Sequence, residues 1–263
     1  MGKLGKFDTD AAALTKRMQA HDLFSALDLN QWCFDLLNIS RGTSILELGC
    51  GTGKQSLAMA SLIGDGGHVT AVDISQQALD ALRQQAEQSG VRPRIDIRRA
   101  DLDEISEQIK SAPFDRVIAC YSIYYAKRPE PLFQFLHSAL KPGGVLFFCG
   151  PSRQNNAELR EFHDSLHARV NKPIPGKEGA APFMEGTGQE LARKIFGNAE
   201  IFYFENPLRF NSPDALYSYW SSYNLWDEAL DEAFRSRAAE HFDKLDVFQT
   251  VKRVIGVRCR KNS

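Results

Sequence analysis

Between residues 44 and 150 the chain alternates short apolar runs with longer stretches whose apolar positions recur every three to four residues. The runs at 44–49, 68–73, 94–100, 114–121 and 144–150 predict strands, and the stretches at 54–63, 76–89, 103–110 and 130–140 predict helices. In the second of these helices Ala78, Leu79, Leu82 and Ala86 form the apolar face, and Ser75 stands where an N-cap belongs. Gly64-Asp65-Gly66-Gly67 and Lys141-Pro142-Gly143-Gly144 carry the turn chemistry between helix and strand, because proline cannot continue a helix and glycine can reverse the chain. Strands alternating with helices in this way predict a mostly parallel sheet covered on both faces, an α/β doubly wound arrangement.

Outside that region the pattern changes. The first forty residues read as helical, with Phe24, Leu27, Trp32, Phe34, Leu36 and Leu37 as apolar anchors. Beyond residue 150 the periodicity predicts helices at 156–170, 189–196, 213–226 and 228–245, strands at 200–205 and 249–260, and a Pro/Gly-rich loop at 171–188. No repeat or low-complexity tract interrupts the chain, so one domain is expected over 1–263. It divides into an amino-terminal helical cap (1–43), a ligand-binding half (44–150) and a substrate-side half (151–263) with a helical lid at about 212–245.

Composition narrows the partners. Lys and Arg total 32 against 33 Asp and Glu, a net charge of -1, so no positive field recruits nucleic acid. The basic clusters at 92–99 and 252–261 are interleaved with apolar residues and read as strands with solvated edges. The five cysteines, Cys33, Cys50, Cys120, Cys149 and Cys259, are odd in number and scattered, with neither a disulfide framework nor zinc-motif spacing. A reducing cytoplasm and no metal are the expectations. Residues 1–10 contain no apolar signal core, and no apolar run approaches the ~20 residues that cross a bilayer, so no membrane role is expected.

The strongest chemical signal is Ile45-Leu46-Glu47-Leu48-Gly49-Cys50-Gly51-Thr52-Gly53-Lys54. A buried strand runs into three alternate glycines and then a helix, whose free backbone N–H groups suit an anionic group. Lys54 stands where the dinucleotide fingerprint has its third glycine, which argues against a nicotinamide enzyme. Glu47, two residues before the first glycine, can instead face the ammonium of an amino-acid moiety. Asp73 ends the second strand, where a carboxylate can accept hydrogen bonds from both hydroxyls of an adenosine ribose; Ile74 follows it. Asp101 ends the third strand and can accept from an adenine amino group while the Leu102 N–H bonds a ring nitrogen.

Glu47 to Gly53, Asp73, Asp101, Phe114-Asp115-Arg116-Val117-Ile118 and Lys141-Pro142-Gly143-Gly144 together resemble the motif series of class I S-adenosylmethionine-dependent methyltransferases, over about residues 40–150. The stretch Cys120-Tyr121-Ser122-Ile123-Tyr124-Tyr125-Ala126-Lys127-Arg128-Pro129-Glu130 is similar to the segment after the fourth strand in small-molecule members, a group that contains the ubiquinone and biotin-pathway methyltransferases. The resemblance implies a three-layer fold with a seven-stranded sheet whose last strand is antiparallel and lies beside the fifth. It implies S-adenosylmethionine as cofactor, with S-adenosylhomocysteine as product. Glu47, Gly49, Cys50, Gly51 and Gly53 would hold the methionine portion, Asp73 and Ile74 the ribose side, Asp101 and Leu102 the adenine, with Cys120 and Tyr121 near the cofactor's amino-acid end. Many members carry histidines near Tyr124 and Tyr125, where this chain has phenols, so no histidine base is assigned.

Exclusion points to a small acceptor. The Asn/Asp-Pro-Pro-aromatic motif, the Pro-Cys pair of cytosine-C5 enzymes, a double-glutamate loop and a catechol-type metal set are all missing. The implied reaction is methyl transfer to a nitrogen, oxygen or carbon of a small, aromatic or apolar molecule. The alternatives are a non-catalytic cofactor-binding module or a methyltransferase acting on RNA or protein. Tyr124 and Tyr125 are the candidates for a catalytic contribution. With Trp220 and Tyr223 from the aromatic stretch 217–226, they are also the candidates for acceptor contact. His163 and His167 lie one helical turn apart and read as a solvated face.

Overall fold

The computed structural model describes residues 27–110, 113–171, 173–174, 179–223 and 225–262. Its strands are β1 (Ser44–Leu48), β2 (His68–Asp73), β3 (Ile95–Arg99), β4 (Phe114–Cys120), β5 (Leu140–Pro151), β6 (Glu200–Phe210) and β7 (Phe248–Arg260). Its described α-helices are α1 (Leu29–Leu37), α2 (Lys54–Ile63), α3 (Gln76–Gln88), α4 (Ile105–Gln108), α5 (Pro129–Ala139), α6 (Ala157–Arg169), α7 (Gly188–Phe196), α8 (Pro213–Ser221) and α9 (Asp231–Phe242). The seven strands form one sheet in the order β3-β2-β1-β4-β5-β7-β6. The first five pair in parallel, and β7 runs antiparallel to both β5 and β6, as the family resemblance implies.

Each face of the sheet carries its own core. Phe34 and Leu37 of α1, Met59 and Ile63 of α2, and Leu79 and Leu82 of α3 pack on one face. Leu132, Phe133 and Leu136 of α5 pack with Leu191 and Phe196 of α7 on the other. A third cluster joins α6, α8 and α9 through Leu159, Leu166, Leu216, Trp220 and Phe234, around Leu208, Phe210 and Phe248 of β6 and β7. No helix among the described residues is long and apolar enough to cross a membrane.

Several boundaries differ from the sequence pattern for identifiable reasons. β6 continues to Phe210 because Phe204, Asn206, Leu208 and Phe210 alternate inward. Pro207 is tolerated there because β6 is the sheet's edge. β5 begins at Leu140, with Lys141–Gly144 as an irregularity inside the strand, where pairing steps from Phe114–Leu140 to Arg116–Val145. The cluster at 252–261 is not a solvated edge. It lies in β7, interior to the sheet, with Arg253 paired to Glu158 at 2.9 Å and Arg258 to Glu200 at 2.8 Å. Arg92–Arg94 form a 3-10 turn. The helix expected at 213–226 stops at Ser221. The one expected at 228–245 becomes a 3-10 turn at Glu228–Leu230 followed by α9, with Trp226 Nε1 donating to Asp231 Oδ1 at 2.9 Å across the joint. Within 171–188, Phe183–Thr187 form a π-helical turn. Of the amino-terminal anchors, Phe24 lies outside the described residues, and α1 is the helix seen there.

Candidate functional site

The site lies where the parallel strands end. β1 runs into Gly49, Gly51 and Gly53, whose φ angles of +69°, +55° and +90° are left-handed. The Gly49 and Cys50 amides both donate to the Val72 carbonyl, at 2.7 and 3.0 Å, which pins the turn to β2. A Cβ on Gly49 would meet the Ser122 Cβ at 2.3 Å, and one on Gly53 the Leu82 Cδ1 at 2.1 Å. Ser122 cannot simply move aside, because its hydroxyl donates to the Leu48 carbonyl at 2.6 Å. Gly49→Ala is therefore expected to cost about 3 kcal/mol or more of stability, from strain and overpacking together. A thermal melt within a degree or two of the parent would overturn that expectation.

Asp73 joins two turns. Its Oδ2 accepts from the Gly51 amide and its Oδ1 from the Ser75 amide, each at 2.8 Å. Ser75 in turn caps α3 by accepting from the Ala78 amide at 3.3 Å. Next to Asp73, Ile74 is 45% exposed, which is unusual for an isoleucine at the edge of a packed sheet. It lines a hollow of about 340 Å³ together with Arg99, Ala100, Asp101, Glu104 and Gln108. The Asp101 Oδ1 accepts from the Asp103 amide at 2.9 Å, while Leu102 packs against the core below. Asp73 with Ile74 at the end of β2, and Asp101 just past the end of β3, thus share one edge.

Glu47 is placed differently from the rest. It sits inside β1, 2% exposed, where its carboxylate accepts from the Ser56 hydroxyl of α2. Burial pushes its carboxyl up from the ordinary 4.5 to about 8. Cys50 is buried beside the turn.

Cys120 ends β4, and Tyr121 follows at φ +57°, held by its amide donating to the Cys149 carbonyl at 2.8 Å. The Tyr121 hydroxyl is buried and has no hydrogen-bond partner among the described residues. Burial pushes its pKa well up, with Cys149, Tyr124, Tyr223 and Tyr219 adding to the shift. The Tyr124 and Tyr125 rings pack 4.7 Å apart. Tyr223 accepts from Asn155 Nδ2 at 2.8 Å, and Tyr219 from Asn156 Nδ2 at 2.9 Å. Lys252 of β7 brings an amine 5.5 Å from the Tyr121 ring, and burial pushes its pKa down to about 8.

Two expectations are corrected. Trp220 is not an acceptor-facing residue: it is fully buried, stacked on Phe234 at 4.1 Å, with its Nε1 donating to His163 Nδ1 at 3.2 Å. His163 and His167 are not a solvated face either, each being 3% exposed. Both belong to the inward stripe of α6 with Leu159, Phe162 and Leu166, at the spacing of an amphipathic helix. The sequence reading missed Ser56, Ser122 and Lys252. Period-two alternation carries a signal for Lys252, since it falls on the same strand face as the buried Thr250 and Val254.

Comparison with known proteins places this geometry in a wider set. A family model described as "Methyltransferase domain" matches residues 39–199. A ubiquinone biosynthesis O-methyltransferase from Actinobacillus pleuropneumoniae is 33% identical over 121 residues, 45% of this chain and 50% of the relative. A ubiquinone/menaquinone biosynthesis C-methyltransferase from Azotobacter vinelandii is 26% identical over 147 residues, 56% of this chain and 57% of the relative. The matched segment thus spans 50% and 57% of these two relatives' lengths. Among solved structures, the YcgJ protein from Bacillus subtilis superposes with a TM-score of 0.56 at 12% identity, covering 89% of this chain and 98% of that one, and shares the fold.

Proposed function

The chain belongs to the methyltransferase domain family, and on that premise we propose that it transfers a methyl group from S-adenosylmethionine to a nitrogen, oxygen or carbon of a small-molecule acceptor. The observation that carries this reading is the carboxylate of Asp73 joined to the Gly51 amide beside a row of left-handed glycines. The three glycines carry no side chain where a ligand needs close approach to the turn, and an acceptor oxygen stands at the end of β2 beyond it.

The residues present fit the cofactor. Each Asp73 oxygen has further lone-pair capacity after accepting one amide, enough for the two ribose hydroxyls. The hollow at Ile74 and Asp101 offers an exposed apolar surface beside a carboxylate, which suits a flat base bearing an amino group. The cofactor supplies a methyl carbon on a positively charged sulfur, so departure from that sulfur needs no acid. What the protein adds is orientation, which in well-aligned cases is worth about 7–11 kcal/mol. In this reading the acceptor lies between the strand ends and α6 and α8, among Tyr121, Tyr124, Tyr125 and Tyr223. The phenol faces can steady a cation by roughly 0.5–2 kcal/mol. The two quinone-pathway relatives support an aromatic acceptor of the same general class. The single-domain division into a cap, a cofactor-binding half and a substrate-side half with a lid over α8 and α9 is part of the same proposal.

Calorimetric titration with S-adenosylmethionine, S-adenosylhomocysteine and reduced nicotinamide dinucleotide tests the cofactor. Saturable binding of the first two and none of the third is expected. Folded, ligand-free protein that binds neither sulfur compound would end this reading. The orphaned Tyr121 hydroxyl adds a separate expectation. Tyr121→Phe removes a buried polar group that lacks a partner among the described residues, so the ligand-free protein should be no less stable, by up to about 1–3 kcal/mol in its favour. KM for the acceptor should rise. Lower stability with unchanged KM would mean that the hydroxyl serves the fold and not the site.

A further inference from the structure

Three of the five cysteines, far apart in the chain, meet at the ligand edge of the sheet. Cys33 comes from α1, Cys120 from the end of β4 and Cys149 from β5, where Cys120 and Cys149 are register partners on adjacent strands. The Cys33 Sγ lies 3.7 Å from the Cys120 Sγ and 4.0 Å from the Cys149 Sγ, and all three sulfurs lie within 4.8 Å of one another. Metal–sulfur bonds of about 2.3 Å place thiolates about 3.8–4.0 Å apart in tetrahedral or trigonal geometry. The sulfurs are therefore already near the separations that one ion requires.

Charge adds an independent argument. Lys252 is a half-buried cation on β7, and its amine lies 5.5 Å from the ring of Tyr121, the residue that follows Cys120. It makes no ion pair with any carboxylate among the described residues. Three thiolates around a divalent ion leave one negative charge, which one ammonium balances. A monovalent ion would leave two. An all-sulfur set also selects a soft cation over magnesium or calcium. Cys33 and Cys149 are fully buried, while Cys120 is partly exposed.

We propose that Cys33, Cys120 and Cys149 form a three-thiolate zinc site, balanced by Lys252, that ties α1 to the ends of β4 and β5. Linear spacing conceals it, because the ligands are separated by 87 and 29 residues, and only the parallel sheet and the helix laid across it bring them together. The site adjoins Tyr121 and holds one side of the candidate acceptor region in place. It stands independently of the methyl-transfer reading, since three thiolates bind zinc whatever the acceptor is.

The experiment is metal analysis of the full chain, purified reduced, together with a cobalt(II) titration followed by its thiolate charge-transfer absorption. One equivalent of zinc, displaced by cobalt with the intensity of three thiolates, is the expected result. Cys33→Ser and Cys149→Ser should each lower zinc affinity by about a hundredfold or more. Cys259→Ser should retain it, and Lys252→Met should weaken it about tenfold. The wild-type cobalt spectrum needs no variant, so a misfolded substitution cannot mask the answer. Folded, reduced wild-type protein that holds no zinc and shows no charge-transfer band would overturn the site. Zinc retained at full affinity by both serine variants would do the same, placing the ion elsewhere.

Discussion

Asp73→Ala is expected to weaken S-adenosylmethionine binding by about a thousandfold while leaving a folded protein. Two hydrogen bonds to the ribose disappear, each charge-assisted and worth about 1.5–3 kcal/mol. The carboxylate also holds the Gly51 amide at 2.8 Å and the Ser75 amide at 2.8 Å, so the variant loosens the turn that the ligand must approach. The amides left behind are near solvent and can bond water, and the strands below keep their pairing, so the fold survives. Asp73→Asn makes the sharper comparison. Its amide nitrogen faces a backbone donor instead of accepting from it, and it should lose most of the same affinity with less change in packing. Calorimetry of both variants beside a thermal melt separates the two effects. An alanine variant that melts like the parent and binds within tenfold of it would remove Asp73 from the cofactor site.

Glu47 yields the second large effect, through pH. Burial holds its carboxyl near 8 in the folded chain against an ordinary 4.5. Between those values the folded form keeps a proton that the unfolded form has released, so this group makes stability fall as pH rises from about 4.5 to 8 and adds no slope above that. At about 1.4 kcal/mol per pKa unit the span amounts to a few kcal/mol. Glu47→Gln keeps the shape and cannot ionise. Its melting temperature should exceed the parent's at pH 8 and show a flatter pH profile.

The same carboxyl links stability to ligand binding. An ammonium brought near it favours the ionised form, so cofactor binding at neutral pH should release up to one proton. Titrations in buffers of different ionisation enthalpy measure that proton directly. In Glu47→Gln the release should vanish and the affinity should fall, by about tenfold to a hundredfold. Heats independent of the buffer in the parent protein would show that Glu47 does not respond to the ligand. A variant less stable than the parent at every pH would show that its contact with Ser56 matters more than its charge.

What was legible in the sequence is what depends on neighbours in the chain. Strand and helix periods, the cap at Ser75, and the glycine turn between β1 and α2 are set within a few residues, and their positions hold to within one or two residues from β1 to α5, whereas β5 begins at Leu140 and not at the expected 144. The motif residues there were recognisable for the same reason, since strand–turn–helix geometry places Gly49, Asp73 and Asp101 at one edge once the strands are parallel. Tertiary structure alone decided what depends on burial and on distant partners. The spacing of His163 and His167 assigns them to one face, but only the packing of α6 against α8 and α9 makes that face the inner one. Trp220 offered an aromatic ring to either a pocket or a core, and Phe234 decided for the core. Glu47 announces a carboxylate in a strand, while its raised pKa arises from the surrounding β1–α2 packing. The sulfurs of Cys33, Cys120 and Cys149 carry no local pattern at all. Their meeting is a property of the sheet order and of α1 crossing it, because proximity between distant residues is created by folding and not by any window of the chain.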